Sequence, residues 1–403
     1  MNPQIDGEMT LDDFNKSAFT LSGINVSFAN AIRRTLLADI PVVVFKQSAP
    51  SSSASSSSSS KSTADDKIAS FSVNTSRLNN ELLKQRLSCI PIYMSPQEYP
   101  LDRLMLEVDV ENNTDSIMYV TTEHFRIKDI QTGDYFPRSK MDEIFPPFIP
   151  NGNKKYYIEF VRLRPRISDD IPGEKIKFSC NFSVGTAHED SCFNVVGTCS
   201  YGFTVDNDVK EKELVKKIQS WRDAGDTKPE LVFKSKNWQL LEGMRFTKKD
   251  SFNFIVQSVC FYSNDMLMVI ACNVLINKLA ALNTLIDTDE LAIVPSQNTM
   301  PNSYDITLKN EDYTLGKVIE YMLYSKFFEN MKILTFCGFK KMHPHDDYSL
   351  IRLAYRDVVD KSGIKINLKA CIAESIQVFN SVKALFASSS KSSTSKKDED
   401  SNE

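Results

Sequence analysis

The sequence predicts an α+β protein built as two unequal halves, on three observations. Apolar residues recur at helical spacing in several segments, a strict two-residue alternation marks strands between them, and a break rich in Pro, Asn, Ser and Thr splits the chain. At 403 residues the chain exceeds one ordinary domain and can bury more than one core.

Taken in order, Val26, Ala29, Ile32 and Leu36 define a helix, with Asn25 as its N-cap and Pro41 closing it. Residues 48–64 are nearly all serine and cannot fold for want of apolar side chains, so they read as an expanded surface loop. The stretch 46–185 is mainly β. Its clearest strand alternates Ile176, Phe178, Cys180, Phe182 and Val184 with polar residues. Met268, Ala271, Leu275, Leu279, Leu282 and Ile286 mark a long helix with one apolar stripe. The break at 288–303, with Pro295 and Pro301, reads as a linker. Beyond it come a strand at 304–309, a helix carrying Leu315, Val318, Ile319 and Met322, two more strands, and a last helix carrying Leu368, Ile372, Ile376, Phe379, Val382 and Phe386. Residues 387–403, mostly Ser, Lys and acid, read as a disordered tail. Each half pairs sheet with helices whose apolar stripes need a covering surface, so the two halves are expected to pack as a pseudo-dimer.

A net charge of −4 disfavours a dedicated nucleic-acid binder, whose affinity rests on neutralising phosphates. No apolar run suggests a membrane span, and the first residues lack a secretory signal, so an intracellular protein is expected. Eight cysteines without a CxxC pair suggest reduced, core-filling thiols and no bound metal.

The segment LSGINVSFANAIRRTLLADIPVVVF, from Leu21 to Phe45, resembles the first signature of the alpha-type chains of RNA polymerase: bacterial alpha, the archaeal D-type chain and the third-largest eukaryotic subunit. In the family's order there follow LKQRLSCIPIY (Leu83 to Tyr93) and GTAHEDSCFNVVGTCSYGF (Gly185 to Phe203). After the break, NEDYTLGKVI (Asn310 to Ile319) and FCGFKKMHPHDDYSLIRL (Phe336 to Leu353) are similar to the smaller partner, the archaeal L-type chain or the eleventh subunit of polymerase II. The resemblance implies a dimerisation domain of residues 1–45 plus 186–287, an inserted β-rich domain at 46–185, and a second dimerisation half at 304–386. It further implies that Ile32, Leu36, Met268, Leu275, Leu279 and Leu282 face Leu315, Val318, Ile319, Met322, Ile372 and Phe379 across the pseudo-dimer.

The implied role is non-catalytic: a platform on which the two largest polymerase subunits dock, with sites for small zinc-binding subunits, no cofactor, and DNA and RNA met only through the complex. Fusion of the two partners resembles the arrangement in large nucleocytoplasmic DNA viruses, which places the chain in the host cytoplasm and the virion. Arg33 and Arg34 read from the residues as a solvated helix face, and the resemblance makes them anchors for the large subunits. The sequence departs from the family in lacking the cysteine cluster that some inserted domains carry, and the lysine and tryptophan common near GTAHEDSCFN.

Two other constellations set alternatives. His343, Pro344, His345, Asp346 and Asp347 put two imidazoles and two carboxylates within five residues, as in a metal-dependent hydrolase, against the reading of a hairpin turn. Lys154 to Arg166, KKYYIEFVRLRPR, mixes basic and aromatic residues as a stand-alone single-strand binder does, against the reading of a strand with packed Tyr157, Phe160 and Leu163.

Overall fold

Residues 1–12, 15–45, 69–150, 154–168 and 171–397 are described by the computed structural model; the serine-rich stretch 48–64 and residues 398–403 lie outside them. The first elements are strands β1 (Gln4–Leu11) and β2 (Lys16–Ser22), helix α1 (Val26–Ala38) and strand β3 (Val42–Val44). Next come β4 (Ser70–Asn74), α2 (Asn80–Ser88), β5 (Leu104–Glu111), β6 (Met118–Thr121), β7 (Arg126–Asp129), α3 (Arg138–Ile144), β8 (Glu159–Leu163), β9 (Lys175–Asn181) and β10 (Ser183–Gly185). The chain returns through β11 (Val196–Val205), the hairpin α4 (Asn207–Asp223) and α5 (Lys228–Leu240), β12 (Thr247–Ser258) and α6 (Asn264–Asp287). The last part holds β13 (Ile293–Pro295), β14 (Ser303–Lys309), α7 (Tyr313–Leu323), β15 (Leu334–Lys340), β16 (Tyr348–Tyr355) and α8 (Lys361–Lys397).

These elements form two units. One comprises residues 1–36, 198–257 and 264–403, and the other residues 37–197 and 258–263. The expected inserted domain, 46–185, lies inside the second unit, which also takes in the preceding strand. The reason is local: β3 pairs antiparallel with β10, and Val43 and Phe45 are buried in the second unit's core.

Within that unit, β4, β9, β5 and β7 form a four-stranded sheet in that order and β6 and β8 a two-stranded ribbon. Alternation puts Ile176, Phe178 and Cys180 of β9 inward, where Phe178 packs against Phe71, Phe125 and Phe160. The helix expected within 83–93 is α2, capped by the Asn79 side chain, which accepts from the Leu82 N–H.

The first unit takes in residues 1–36, 198–257 and 264–287 of the first expected dimerisation half, whose residues 37–45, 186–197 and 258–263 belong to the other unit, and all of the second half, 304–386. One sheet runs β1, β2, β12, β11 and the other β13, β14, β16, β15. In the first, β2 alternates buried Ser17, Phe19 and Leu21 with half-buried neighbours, so one face is covered. α1 begins where the Asn25 side chain accepts from the Ser27 N–H at 2.9 Å. Burial pushes the thiols of Cys180, Cys199, Cys272, Cys337 and Cys371 up to about 12, so they remain protonated.

Three expectations need correction. The linker at 288–303 contains an edge strand, because Leu291 and Ile293 are buried and β13 pairs with β14; Pro295 is tolerated because it ends that edge strand. The tail expected from residue 387 is helical backbone as far as Lys397, since extending an established helix costs far less than starting one. Finally, α6 is by length and composition apolar enough to cross a membrane. Leu267, Met268, Ala271, Leu275, Leu279 and Leu282 are buried at helical spacing, and α6 packs against α8 and α7, the pattern of a core helix.

Candidate assembly interface between the two halves

The apolar faces named from the sequence are all buried: Ile32 and Leu36 on α1, Met268, Leu275, Leu279 and Leu282 on α6, Leu315, Val318, Ile319 and Met322 on α7, and Ile372 and Phe379 on α8. α6 packs against α8, and α7 packs on both. Aromatic rings close the seam at two places. Phe28 of α1 lies 5.0 Å from Phe379 and 6.4 Å from Tyr321, and Phe19 of β2 meets Phe386 edge-on at 5.1 Å.

A polar clasp sits beside this seam. Asp312 is the N-cap of α7, its carboxylate accepting from the Thr314 N–H at 2.8 Å. The same carboxylate accepts from the Arg34 guanidinium, whose Nε also donates to the Thr314 hydroxyl at 2.8 Å. One arginine of the pair thus fastens the first half to the second. Arg33 points elsewhere on the helix, holding the Asn30 side-chain oxygen at 3.0 and 3.2 Å, and its charge reaches Cys199 and Tyr201 of β11. Farther along, Lys278 faces Glu311, and Lys365 and Lys369 reach Asp289 and Asp287.

Burial opposes ionisation of Asp312, but the bonds from Thr314 and the Arg34 charge outweigh it and hold the carboxyl below its ordinary value of 3.8. A folded-state value below the unfolded one means the contribution is present at neutral pH and lost as pH falls through the folded value. Acid melts should therefore show the wild type losing stability below about pH 4 more steeply than Asp312→Asn. Parallel curves would mean that the clasp contributes nothing to holding the halves.

Sequence reasoning missed Asp312, Thr314, Phe28 and Tyr321. Asp312 had a readable signal, an acidic residue just before the apolar run of α7. Gly316 had another: a Cβ there would stand 2.0 Å from a carbon of the Phe339 ring, so only glycine lets that ring lie on α7.

The two alternative constellations are placed in different surroundings. His343 to Asp347 form the turn between β15 and β16, in which the His343 N–H donates to Asp346 at 3.0 Å and the His345 N–H to His343 Nδ1 at 3.2 Å. Among the described residues no three His, Cys, Asp or Glu are grouped to hold one ion. In Lys154 to Arg166, Phe160 and Leu163 are buried in β8, Lys155 and Tyr157 bond Asp142, and Arg164 pairs with Glu174 at 2.5 Å. Much of the stretch's charge is thereby engaged within its own unit.

Comparison with known proteins places this geometry. The family model for the RNA polymerase Rpb3/Rpb11 dimerisation domain matches residues 18–279, and the chain belongs to that family. The human DNA-directed RNA polymerases I and III subunit RPAC1 is 24% identical over 298 residues, covering 66% of this chain and 80% of the relative. Its bovine counterpart is 25% identical over 300 residues with the same coverage. The DNA-directed RNA polymerase subunit Rpo3 of Pyrococcus furiosus is 33% identical over 89 residues, 22% of this chain and 26% of the relative.

Proposed function

We infer that the chain is a non-catalytic assembly subunit of a multisubunit DNA-directed RNA polymerase. The observation that carries this reading is the seam of α6, α7 and α8 with its Arg34–Asp312 clasp, in a member of the Rpb3/Rpb11 dimerisation family. In its fuller form the reading makes the chain a fusion of the D-like and L-like partners, of the kind found in large nucleocytoplasmic DNA viruses, acting in the host cytoplasm and the virion. Joining the partners raises their mutual effective concentration to the order of mM, so the pair has no search step before the larger subunits arrive.

The two largest subunits are then the docking partners, with Arg33 and Arg34 at the anchor point and small zinc-binding subunits joining the same platform. RNA synthesis belongs to the large partners, and nucleic acid reaches this chain only through the complex. Tagging the chain in cells that make its polymerase tests the reading. Both largest subunits should copurify, and RNA synthesis should be found in the complex and be absent from the chain alone. Recovery of the chain without any polymerase subunit would overturn it.

A further inference from the structure

The paired arginines of α1 differ in how much of their bonding capacity the chain itself uses. Arg34 is committed to Asp312 and Thr314, whereas Arg33 forms no ion pair among the described residues. Its Nε and Nη2 both donate to the single side-chain oxygen of Asn30, at 3.2 and 3.0 Å. That grip occupies one edge of the guanidinium and fixes its plane, so the outer edge between Nη1 and Nη2 has no partner among the described residues. Tyr201 of β11 stands within reach of the Arg33 charge. Its ring lies 5.3 Å from Phe252 and 5.4 Å from Phe254 of β12, which hold it in place. The Tyr201 hydroxyl has no hydrogen bond among the described residues, and burial raises its pKa, so at neutral pH it is a donor waiting for an acceptor. Arg33 and Tyr201 are both half-buried, and Phe203, two positions along the same side of β11, is exposed.

We propose that the free edge of Arg33 and the Tyr201 hydroxyl together receive one carboxylate of a large polymerase subunit, with Asn30 as the residue that positions the arginine. This rests on the assembly reading and names the chemistry of the group that meets it. A guanidinium edge offers parallel N–H bonds that match the paired oxygens of a carboxylate, a fit an ammonium cannot copy. The phenol supplies a further donor. Both side chains are held before a partner arrives, Arg33 by Asn30 and Tyr201 by its ring contacts, so docking costs little of their freedom. Covering a half-buried cation requires an opposite charge, and among the described residues the chain sets none of its own acids against Arg33. A nucleic-acid backbone is the poorer match, because it is bound through several cations and the next arginine on α1 is already neutralised by Asp312.

The test uses the full chain coexpressed with the two largest polymerase subunits. Tyr201→Phe deletes only the hydroxyl and should weaken binding of one large subunit about tenfold with an unchanged melt, because that hydroxyl bonds nothing in the free chain. Arg33→Lys keeps the charge but loses the fork, and should weaken binding by a similar factor; combined with Tyr201→Phe it should cost less than the product of the two losses, as expected of groups that share one acceptor. Asn30→Ala should weaken binding about threefold, and that effect should vanish once Arg33→Ala has removed the group Asn30 positions. A carbodiimide, which joins an amine to a carboxylate in direct contact, should link the amine introduced by Arg33→Lys to an Asp or Glu of the large subunit. Binding undiminished by Tyr201→Phe, with that amine unlinked, would overturn the proposal while wild-type recovery keeps the assembly reading in place. A melt lowered by Tyr201→Phe would overturn it by giving the hydroxyl to the fold, and so would a link to a second copy of this chain or oligonucleotide binding lost with Arg33→Ala, each by naming another occupant. If the wild type recovers no polymerase subunit at all, the assembly reading fails and the proposal with it.

Discussion

Phe379→Ala is expected to lower the free energy of unfolding by about 3–5 kcal/mol, the usual cost of deleting a fully buried aromatic ring. Phe379 is fully buried and packs on Phe28, which comes from the opposite half, so the cavity would open where the two halves meet. The loss combines transfer of the ring with the contacts its neighbours forfeit, and α8, held between α6 and α7, has little room to collapse inward. Urea melts followed by circular dichroism measure the effect, with Ile366→Ala as the control: that side chain is 66% exposed on the same helix and should cost within about 0.5 kcal/mol. A loss under about 1 kcal/mol for Phe379→Ala would mean that the ring is not part of what joins the halves.

The same residues show what the sequence could disclose. Helical and strand periodicities identify which side of an element is covered, which is why Leu275, Leu279, Leu315 and Phe379 could be named without coordinates. Periodicity says nothing about what does the covering. That Phe28 meets Phe379, or that Arg34 reaches Asp312 across 278 positions, depends on tertiary geometry. Composition misled at the two ends of the second half for a related reason. Residues 288–303 look like linker because Pro, Asn and Ser outnumber apolar residues, yet two buried side chains suffice to seat β13 on the sheet. The Ser- and Lys-rich end of α8 carries no apolar signal of its own and inherits its helix from the turns before it.

The paired arginines provide the sharper division of labour, because the structure gives them different partners. Arg34→Ala would leave Asp312 with its cap bonds but no neutralising charge. The pair is only partly shielded from solvent, with side-chain exposures of 36% and 32%, so the expected loss is discounted to about 1 kcal/mol of stability. Arg33→Ala removes only bonds to Asn30 on its own helix and should leave the melt within about 0.5 kcal/mol of wild type. If Arg33 anchors a large subunit, its removal should nonetheless weaken docking by about 2 kcal/mol, roughly thirtyfold, since arginine is prominent among residues that dominate interfaces. Coexpression of each variant with the two largest polymerase subunits, read by pull-down beside a melt of the isolated chain, separates the cases. A normal melt with lost complex for Arg33→Ala assigns that residue to docking. A lowered melt with complex retained for Arg34→Ala assigns the other to the seam. Full complex with both arginines replaced would leave the first as a solvated helix residue and move the large-subunit contact to another surface.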